Sequence, residues 1–337
     1  MKNILIVRPG AIGDTLLTFP VLKALRRCYE ATCITLVGNA QVLPLAIASG
    51  VAQQAFDFQD IRWSDLFSTQ GIRTSSLRDL LSQIDLAICW MGDPDGIVEH
   101  NLKTLGIKQV IIAPGRPPDE EHIHIVDYLA HTIGLPHLLP QFIPTTVGAR
   151  VDDVWLGEPL WSPVARMYHL PIEDLTISDH PQQLNIKTPD MTTTPFVAIH
   201  PGSGAAEKCW PVSRFAEIIM RLWKQSQPVL LLSGPADTER LEDVLQLLSP
   251  SPAPEMLKML ISAPLLEVAQ YLLLCRCYLG NDSGITHLAA MLGIPTVAIF
   301  GPTDPRIWRP IGSSVKVIHK QTLEDVTVDD AIEYLGL

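Results

Sequence analysis

Short runs of Ile, Val and Leu alternate along the chain with longer segments in which apolar residues recur every three or four positions. Such runs are typical of parallel strands buried on both faces, and the longer period is typical of amphipathic helices. The sequence therefore predicts the α/β class, with parallel sheets covered by helices. In the first half, the pattern predicts strands at Asn3–Arg8, Cys33–Val37, Asp85–Trp90 and Gln109–Ala113.

The second half repeats this pattern more regularly. One helix is predicted to begin at Pro211, where apolar residues follow at helical spacing from Phe215 to Trp223. Ligands of open parallel sheets collect at the carboxyl ends of the strands, so the loops after the strands are where we expect the chemistry. The other predicted elements are strands Phe196–His200, Val229–Ser233, Cys277–Gly280 and Thr296–Phe300, and helices Asp237–Leu248, Pro264–Cys275 and Gly284–Leu292.

The two regular halves are separated by a stretch rich in proline, from about Pro144 to Pro195. This composition predicts a linker, although Trp155–Leu170 could add a helix to the first domain. We expect two Rossmann-like domains that face each other across a cleft. Their predicted bounds are residues 1–175 for the first domain, 176–194 for the linker, 195–320 for the second domain, and 321–337 for a C-terminal helix that packs back on the first domain.

Composition narrows the class of protein. A chain of 337 residues exceeds what one hydrophobic core usually serves, which agrees with two domains. The net charge is −11 and no run of Lys or Arg is present, which argues against a nucleic-acid partner. The six cysteines form no Cys-x-x-Cys pair, and no apolar run reaches 18 residues. We therefore expect a cytoplasmic protein with reduced thiols.

The first candidate site is the stretch VRPGAIGDT, residues 7–15, where a predicted strand enters a glycine turn and then a helix. Gly10 and Gly13 form the turn, and Asp14 falls near the helix N-terminus, where exposed N–H groups favour a carboxylate. Asp14 is either a catalytic carboxylate or a plain helix cap. The spacing lacks the G-x-G-x-x-G pattern of a dinucleotide fingerprint. Pro20 either kinks this helix or marks its true start.

The second candidate site is IHPGSGAAEKCWP, residues 199–211. The backbone from Gly202 to Ala206 carries no bulky side chain, so its N–H groups and the Ser203 hydroxyl can approach an anion. Gly204 belongs to this loop, and Lys208 adds a positive charge just before a helix N-terminus. The alternative is an ordinary turn with a solvated lysine. The stretch lacks the G-x-x-x-x-G-K-[ST] pattern, which argues against a P-loop NTPase.

The third candidate site is LGNDSGITHLAA, residues 279–290, where a strand turns into another helix. Asp282 can accept from a hydroxyl or cap the helix, and Ser283 and Gly284 can donate to phosphate. His287 lies one turn further, either on the face that starts at the phosphate or as a structural residue. Two helix N-termini that converge on one point favour a diphosphate, and hence a nucleotide-linked ligand.

Two further turns leave alternatives open. The segment FGPTDP at residues 300–305 either lines the same cleft or is only a proline-rich turn. Asp93-Pro94-Asp95 is similar to the Asp-x-Asp that carries a divalent metal in some sugar transferases. Gly, Asp and Pro also build turns without any ligand, and we predict such a turn and no metal site.

Together, three blocks resemble glycosyltransferase family 9, whose best known members are lipopolysaccharide heptosyltransferases. The blocks are ILIVRPGAIGDTLLTFPVLKAL, HPGSGAAEKCWPVSRFAEII and GNDSGITHLAAMLGIPTVAIFGPTDP, in the family's order and spacing. The resemblance implies a GT-B fold, with the acceptor bound mainly by the first Rossmann-like domain and a nucleotide-sugar by the second. It also implies metal-independent, inverting transfer, with no cofactor.

The resemblance also implies roles for individual residues. Asp14 matches the general base of the family, and Lys208, Asp282 and the Ser283-Gly284 turn match its donor-binding positions. The family's remaining donor-side positions fall on His287 and, in SGPADTERLEDVL, on Glu239. The chemistry agrees, because one base suffices for inversion, and a lysine and helix N-termini can stabilise a departing diphosphate without a cation.

The expected substrates follow from the same resemblance. The donor would be ADP-heptose, and the acceptor a lipopolysaccharide-core or related glycan or glycolipid. The implied protein is a cytoplasmic monomer that can contact the inner membrane peripherally. Three alternatives remain open: a GT-B transferase for another nucleotide-sugar, a nucleotide-sugar epimerase, and a nucleotide-binding protein that has lost turnover. Residues 90–146 match no motif, so the acceptor is left open by the sequence.

Overall fold

The computed structural model describes residues 2–29, 32–136, 138, 195–248 and 254–337. The chain forms two compact units, and the described residues up to 138 belong to the first while those from 195 belong to the second. The predicted linker at 176–194 and the possible helix Trp155–Leu170 lie outside the described residues.

The first unit is a parallel five-stranded sheet with the order β3-β2-β1-β4-β5. The four strands expected from the pattern are present within one residue of their predicted ends, and the short β3 is added at one edge. The strands are β1 Lys2–Val7, β2 Thr32–Gly38, β3 Gln54–Asp57, β4 Leu86–Trp90 and β5 Gln109–Ala113. The helices are α1 Ile12–Leu16, α2 Phe19–Cys28, α3 Leu43–Ala48, α4 Ser75–Leu81, α5 Ile97–Thr104 and α6 Ile125–Thr132.

Pro20 marks the start of a second helix. The first helix, α1, ends at Leu16, and Pro20 is the second residue of α2. Proline is tolerated there because the first N–H groups of a helix have no acceptor within it. The chain from β1 therefore passes through two helices before it reaches β2.

The second unit is a parallel six-stranded sheet with the order β11-β10-β9-β6-β7-β8. Three of its predicted strands have the observed bounds, and the predicted Cys277–Gly280 is longer at both ends. The strands are β6 Phe196–His200, β7 Val229–Ser233, β8 Leu257–Ile261, β9 Cys275–Asn281, β10 Thr296–Phe300 and β11 Val315–His319. The helices are α7 Val212–Lys224, α8 Thr238–Leu247, α9 Leu265–Leu272, α10 Gly284–Met291, α11 Pro305–Trp308 and α12 Val328–Leu335.

The C-terminal helix corrects one expectation. We expected this segment to pack back on the first domain. Instead, α12 buries Val328 and Ala331 in the core of the second unit, together with Ile219 and Leu222 of α7. The amphipathic face of α12 is thus occupied within its own unit.

Each sheet grows outward from a central strand in both directions. In the first sheet the chain leaves β1 toward β2 and β3 and resumes on the other side with β4 and β5; in the second it leaves β6 in the same way. A crevice at the carboxyl ends of the strands forms where the order reverses. These points lie between β1 and β4 and between β6 and β9, and they position the loops described next.

None of the helices in the described parts of the chain is both long and apolar enough to cross a membrane.

Candidate active site

An ion pair occupies the loop after β1. The Arg8 guanidinium donates through Nη2 to Asp14 Oδ1 at 2.7 Å, and through Nη1 to the Trp90 carbonyl at the end of β4 at 3.5 Å. The Ala11 N–H donates to the other carboxylate oxygen of Asp14 at 2.9 Å. Burial lowers the pKa of Arg8, and the charge of Asp14 opposes that shift. The pair thus fixes a carboxylate at the switch point of the first sheet.

Asp14 stabilises the start of α1, as one of the two alternatives predicted. It is the third residue of α1 and caps the helix by accepting the Ala11 N–H, so it lies inside the helix rather than at its cap position. Gly13 likewise lies inside α1, which corrects its predicted place in the turn. Gly10 does form the turn: its φ is +140°, and a Cβ there would lie 2.6 Å from Asp14 Oδ2.

In the second unit, the loops after β6 and β10 both contact Asp282, which directly follows β9. Lys208 Nζ donates to Asp282 Oδ2 at 2.8 Å, and the Thr303 hydroxyl donates to the same oxygen at 2.7 Å. The Ser203 hydroxyl donates to the Asp282 carbonyl at 2.6 Å. The structure therefore brings together the predicted residues Ser203, Lys208 and Asp282. The turn after β10, within residues 300–305, also contacts them through Thr303. The sequence had left open whether this turn lies in the site.

Helix α10 begins beside this cluster. Ser283 is its cap residue and accepts the Thr286 N–H through its hydroxyl, and Gly284 is the first helical residue. The first N–H groups of a helix lack intrahelical acceptors and carry partial positive charge, which suits an anion. His287 is buried in the next turn, with Nε2 3.9 Å from Asp282 Oδ1. Four of the predicted residues thus lie together at the start of one helix: Asp282, Ser283, Gly284 and His287.

Three buried polar residues join these loops and were missed in the sequence. His200, at the end of β6, contacts Asp237 Oδ2 through Nε2 at 3.0 Å and Ser283 Oγ through Nδ1 at 3.3 Å. Asn281 donates to the Pro201 carbonyl at 2.7 Å and accepts the Trp210 N–H at 2.9 Å. His200 and Asn281 end apolar runs at the carboxyl edge of the sheet, and that position was the available signal.

Burial and hydrogen bonding act in opposite directions on Asp237. Burial alone raises the pKa of Asp237, but the hydrogen bond of His200, the charge that His200 carries when it is protonated, the Gly234 N–H and the charge of Arg240 outweigh it, so the pKa is lowered. The Gly234 N–H donates to Asp237 Oδ2 at 2.9 Å. Asp237 is therefore held as a carboxylate inside the second unit.

Two of the residues predicted to bind the nucleotide-sugar donor lie at the surface of this region. Glu239 is exposed in the first turn of α8, and Gly204 is exposed in the loop after β6. It is Arg240, the neighbour of Glu239, that reaches the loop, donating to the Trp210 carbonyl at 2.6 Å and to the Pro201 carbonyl at 3.1 Å. The structure thus leaves Glu239 and Gly204 outside the hydrogen-bonded cluster around Asp282.

The Asp93-Pro94-Asp95 turn caps a helix. Asp93 accepts the N–H groups of Val98 and Glu99 at 3.1 and 2.9 Å, and Asp95 accepts that of Ile97 at 3.3 Å. These are the bonds of a turn that starts α5, as we predicted from its Gly, Asp and Pro content.

A family model and several known proteins match the sequence of this chain. The family model described as glycosyltransferase family 9 (heptosyltransferase) matches residues 166–331. Lipooligosaccharide heptosyltransferase 2 of Haemophilus influenzae is 22% identical over 99% of this chain and 98% of its own length. A protein of the same name from Campylobacter jejuni is 29% identical over 89% of this chain and 81% of its own length.

Solved structures agree on the fold. Escherichia coli ADP-heptose lipopolysaccharide heptosyltransferase II has a TM-score of 0.68 and 20% identity, covering 100% of this chain and 98% of its own. A family 9 glycosyltransferase from Veillonella parvula also has a TM-score of 0.68, with 17% identity, covering 99% of this chain and 96% of its own. The fold is GT-B, built from two Rossmann-like domains. Because a family model matches its second half and relatives align with nearly its whole length, the chain belongs to glycosyltransferase family 9 and is a glycosyltransferase.

Proposed function

We propose that this enzyme transfers heptose from ADP-heptose to a lipopolysaccharide-core glycan. The curated relatives that align along most of the chain are named lipooligosaccharide heptosyltransferase 2, and others that align with about a third of it are named lipopolysaccharide heptosyltransferase 2 or 3. The observation that carries the proposal is the meeting of the loops after β6, β9 and β10 at Asp282, beside the N-terminus of α10 and at the switch point of the second sheet. That is where an open parallel sheet binds a nucleotide-linked ligand.

The donor would be held by the second unit. The N–H groups at the start of α10 suit the diphosphate, and the Lys208 ammonium lies 2.8 Å from Asp282, where it can share its hydrogen bonds with a donor oxygen. Ser283 and Gly284 would contribute the cap hydroxyl and a backbone N–H. We propose that these groups stabilise the charge that builds up on the departing diphosphate without a metal ion.

The acceptor would react at Asp14. We propose that an Asp14 carboxylate oxygen takes the proton of the acceptor hydroxyl while the hydroxyl oxygen attacks the anomeric carbon of the sugar. The bond from that carbon to the diphosphate oxygen breaks as the new bond forms, so the configuration inverts. Arg8 and the Ala11 N–H hold the carboxylate in one orientation but leave lone pairs on both oxygens.

We further propose that the enzyme acts as a monomer and touches the membrane only peripherally, to reach an acceptor carried on a lipid. The first unit would bind this acceptor, as the family resemblance implies. The choice of heptose and of this acceptor is supported by the names of the relatives and is the part of the proposal that an assay must decide.

Asp14→Asn tests the assignment of the base. We expect transfer from ADP-heptose to a lipopolysaccharide-core acceptor to fall at least a hundredfold, because general base catalysis contributes about that much or more. ADP binding, measured by calorimetry, should stay within about threefold of wild type, because Asp14 lies in the other unit from the predicted donor residues. Turnover retained in this variant would contradict the assigned base.

Lys208→Ala tests the donor side of the proposal in the same assays. Loss of this charge should weaken ADP binding and transfer together, by about tenfold or more. Offering ADP-, GDP- and UDP-sugars to the wild type in parallel identifies the donor. Release of ADP that requires the acceptor would support transfer, whereas conversion of a nucleotide-sugar without any acceptor would indicate an epimerase and overturn the proposed function.

A further inference from the structure

Asp237, His200 and Ser283 form a chain of hydrogen bonds through the inside of the second unit. Each of the three residues is buried, and each comes from the loop or strand end of a different strand: β7, β6 and β9. His200 Nε2 lies 3.0 Å from Asp237 Oδ2, and His200 Nδ1 lies 3.3 Å from Ser283 Oγ. The chain thus ends at the cap hydroxyl of α10, where the diphosphate is proposed to bind.

Beyond Ser283, the hydrogen bonds continue to Thr286 and Tyr278, and the donor and acceptor of these bonds are fixed. The Thr286 hydroxyl donates to the Asn281 carbonyl at 2.5 Å, so the Tyr278 hydroxyl, 3.0 Å from Thr286 Oγ1, must be a donor to it. Thr286 Oγ1 keeps a second acceptor direction, and Ser283 Oγ lies 3.0 Å from it. The Ser283 hydroxyl can therefore donate either to His200 Nδ1 or to Thr286 Oγ1.

These two choices correspond to two protonation states of His200. In the neutral state, Nε2–H donates to Asp237 and Nδ1 accepts the Ser283 hydroxyl. In the charged state, Nδ1–H donates to Ser283 Oγ, and the Ser283 hydroxyl turns to Thr286 Oγ1. Every bond in the network is kept when the proton arrives, and only one hydroxyl hydrogen rotates. Histidine is the side chain best suited to exchange a proton near neutral pH.

The charges around the chain show why a proton would be needed. Lys208 is paired with Asp282 at 2.8 Å, and Asp237 is acted on by the charge of Arg240. With His200 neutral, these four formal charges cancel. A bound diphosphate would add negative charge that this pairing does not balance, and a buried negative charge favours the imidazolium form of a nearby histidine.

We propose that His200 takes up one proton from solvent when a nucleoside diphosphate binds at α10, so that the Asp237–His200–Ser283 chain supplies positive charge to the leaving group. This inference rests on the proposed function, because it uses the same donor site. His200 acts through Ser283 and is a positioning residue. It would keep the diphosphate stabilised after the glycosidic bond breaks, and release the proton when the diphosphate leaves.

The experiment must distinguish proton uptake by His200 from proton uptake by the other groups that face these hydrogen bonds. Asp237 lies in the loop before α8 and Arg240 in its first turn, while Asp282 follows β9. Lys208 lies in the loop after β6, and burial raises the pKa of the Tyr278 phenol on β9 well above its usual value. His287 on α10, with Nε2 3.9 Å from Asp282 Oδ1, is a second histidine beside these residues. It needs its own variant.

The experiment is calorimetry of ADP binding to the full chain at pH 7.5 in buffers of different ionisation enthalpy, repeated with GDP and UDP. The slope of binding enthalpy against buffer enthalpy gives the number of protons taken up. We expect about 0.3 to 1 proton per ADP, and an ADP affinity that falls about tenfold from pH 7 to 9, a range in which the terminal phosphate of ADP is already mostly ionised.

His200→Gln keeps a donor toward Asp237 but cannot take up a proton. This variant should show no proton uptake and an affinity that is flat from pH 7 to 9. His287→Gln tests the neighbouring histidine, and His100→Gln, an exposed histidine on α5 of the first unit, is the matched control. Both should keep the uptake.

Two results would overturn the inference while leaving the proposed function intact: binding of ADP with no proton uptake, or uptake that persists in His200→Gln. Loss of the uptake in His287→Gln alone would assign it to that residue and equally overturn the role of His200. If none of ADP, GDP and UDP binds, the proposed function fails and the inference fails with it.

Discussion

At the scale of single residues, Arg8 and Asp14 depend on each other. Arg8 is 5% exposed, and its guanidinium is buried beside the end of β4, so its positive charge needs a partner. Asp14 supplies that partner at 2.7 Å and is 28% exposed in its side chain. Removing one partner of a buried pair costs more than removing both, because the remaining charge stays buried.

The pair can be tested by a double-mutant cycle. We expect Asp14→Asn to lower the free energy of unfolding of the first unit by roughly 2 kcal/mol, less than for a fully buried pair, because Asp14 is partly hydrated. Adding Arg8→Met should recover most of that loss, since the charge left behind is removed. Hydrogen exchange of the β1 amides in urea measures both. Losses that simply add would show that the two side chains do not interact.

The same pair shows what the sequence could predict for a single residue. Asp14 stands out because it follows a glycine turn between a strand and a helix. Arg8 directly follows β1 and carries no such signal, since its partner is decided by how the turn at Gly10, with φ of +140°, folds Asp14 back. The role of His200 is hidden for the same reason, because Asp237 lies 37 residues further along the chain.

At the scale of elements, the loop after β6 contains two glycines with different requirements. A Cβ on Gly202 would overlap the carboxylate of Asp237, whereas a Cβ on Gly204 would meet nothing within 4 Å. Gly202 therefore lets the loop pack onto the Asp237–His200 chain. Gly204 is exposed, and only a ligand that approaches its backbone would require it to be small.

Substitution by alanine separates these two glycines. Gly202→Ala should lower the free energy of unfolding by roughly 1 to 3 kcal/mol, because Asp237 must move away from His200. Gly204→Ala should leave stability unchanged and weaken ADP binding only if the donor packs on this loop. Thermal unfolding and calorimetry on the two variants provide the comparison. Equal stability of the two variants would contradict the packing of Gly202 against Asp237.

In the second sheet, the strands buried on both faces were predictable, and the two edge strands were not. β6, β7 and β10 are short apolar runs near the centre of their sheet, and each has its predicted bounds. β8 and β11 form the edges, with exposed or half-buried residues along their length, so their sequences lack an uninterrupted apolar run. Pairing with a neighbour, rather than local pattern, makes them strands.

At the scale of the whole molecule, the two units repeat one topology and place different chemistry at the same position. In the first, the loop after the central strand carries one carboxylate paired with a buried arginine. In the second, the corresponding loop carries a lysine and a serine that meet the loop after β9. This division agrees with the proposed inverting transfer, in which one base serves the acceptor and cationic groups serve the leaving diphosphate.

The last prediction concerns metal ions and follows from the partners of the carboxylates in both units. Asp93 accepts two backbone N–H groups, Asp237 is bonded to His200, and Asp282 accepts from Lys208 and Thr303. Each is already engaged by donors that a cation would have to displace. We expect the initial rate of transfer to stay within about twofold in EDTA and after addition of Mg²⁺, because the positive charge is proposed to come from Lys208, α10 and His200. A metal-dependent Asp-x-Asp transferase, inactivated by EDTA in the same assay, is the control. A rate lost in EDTA and restored by Mg²⁺ or Mn²⁺ would show that a cation, rather than these groups, stabilises the leaving diphosphate.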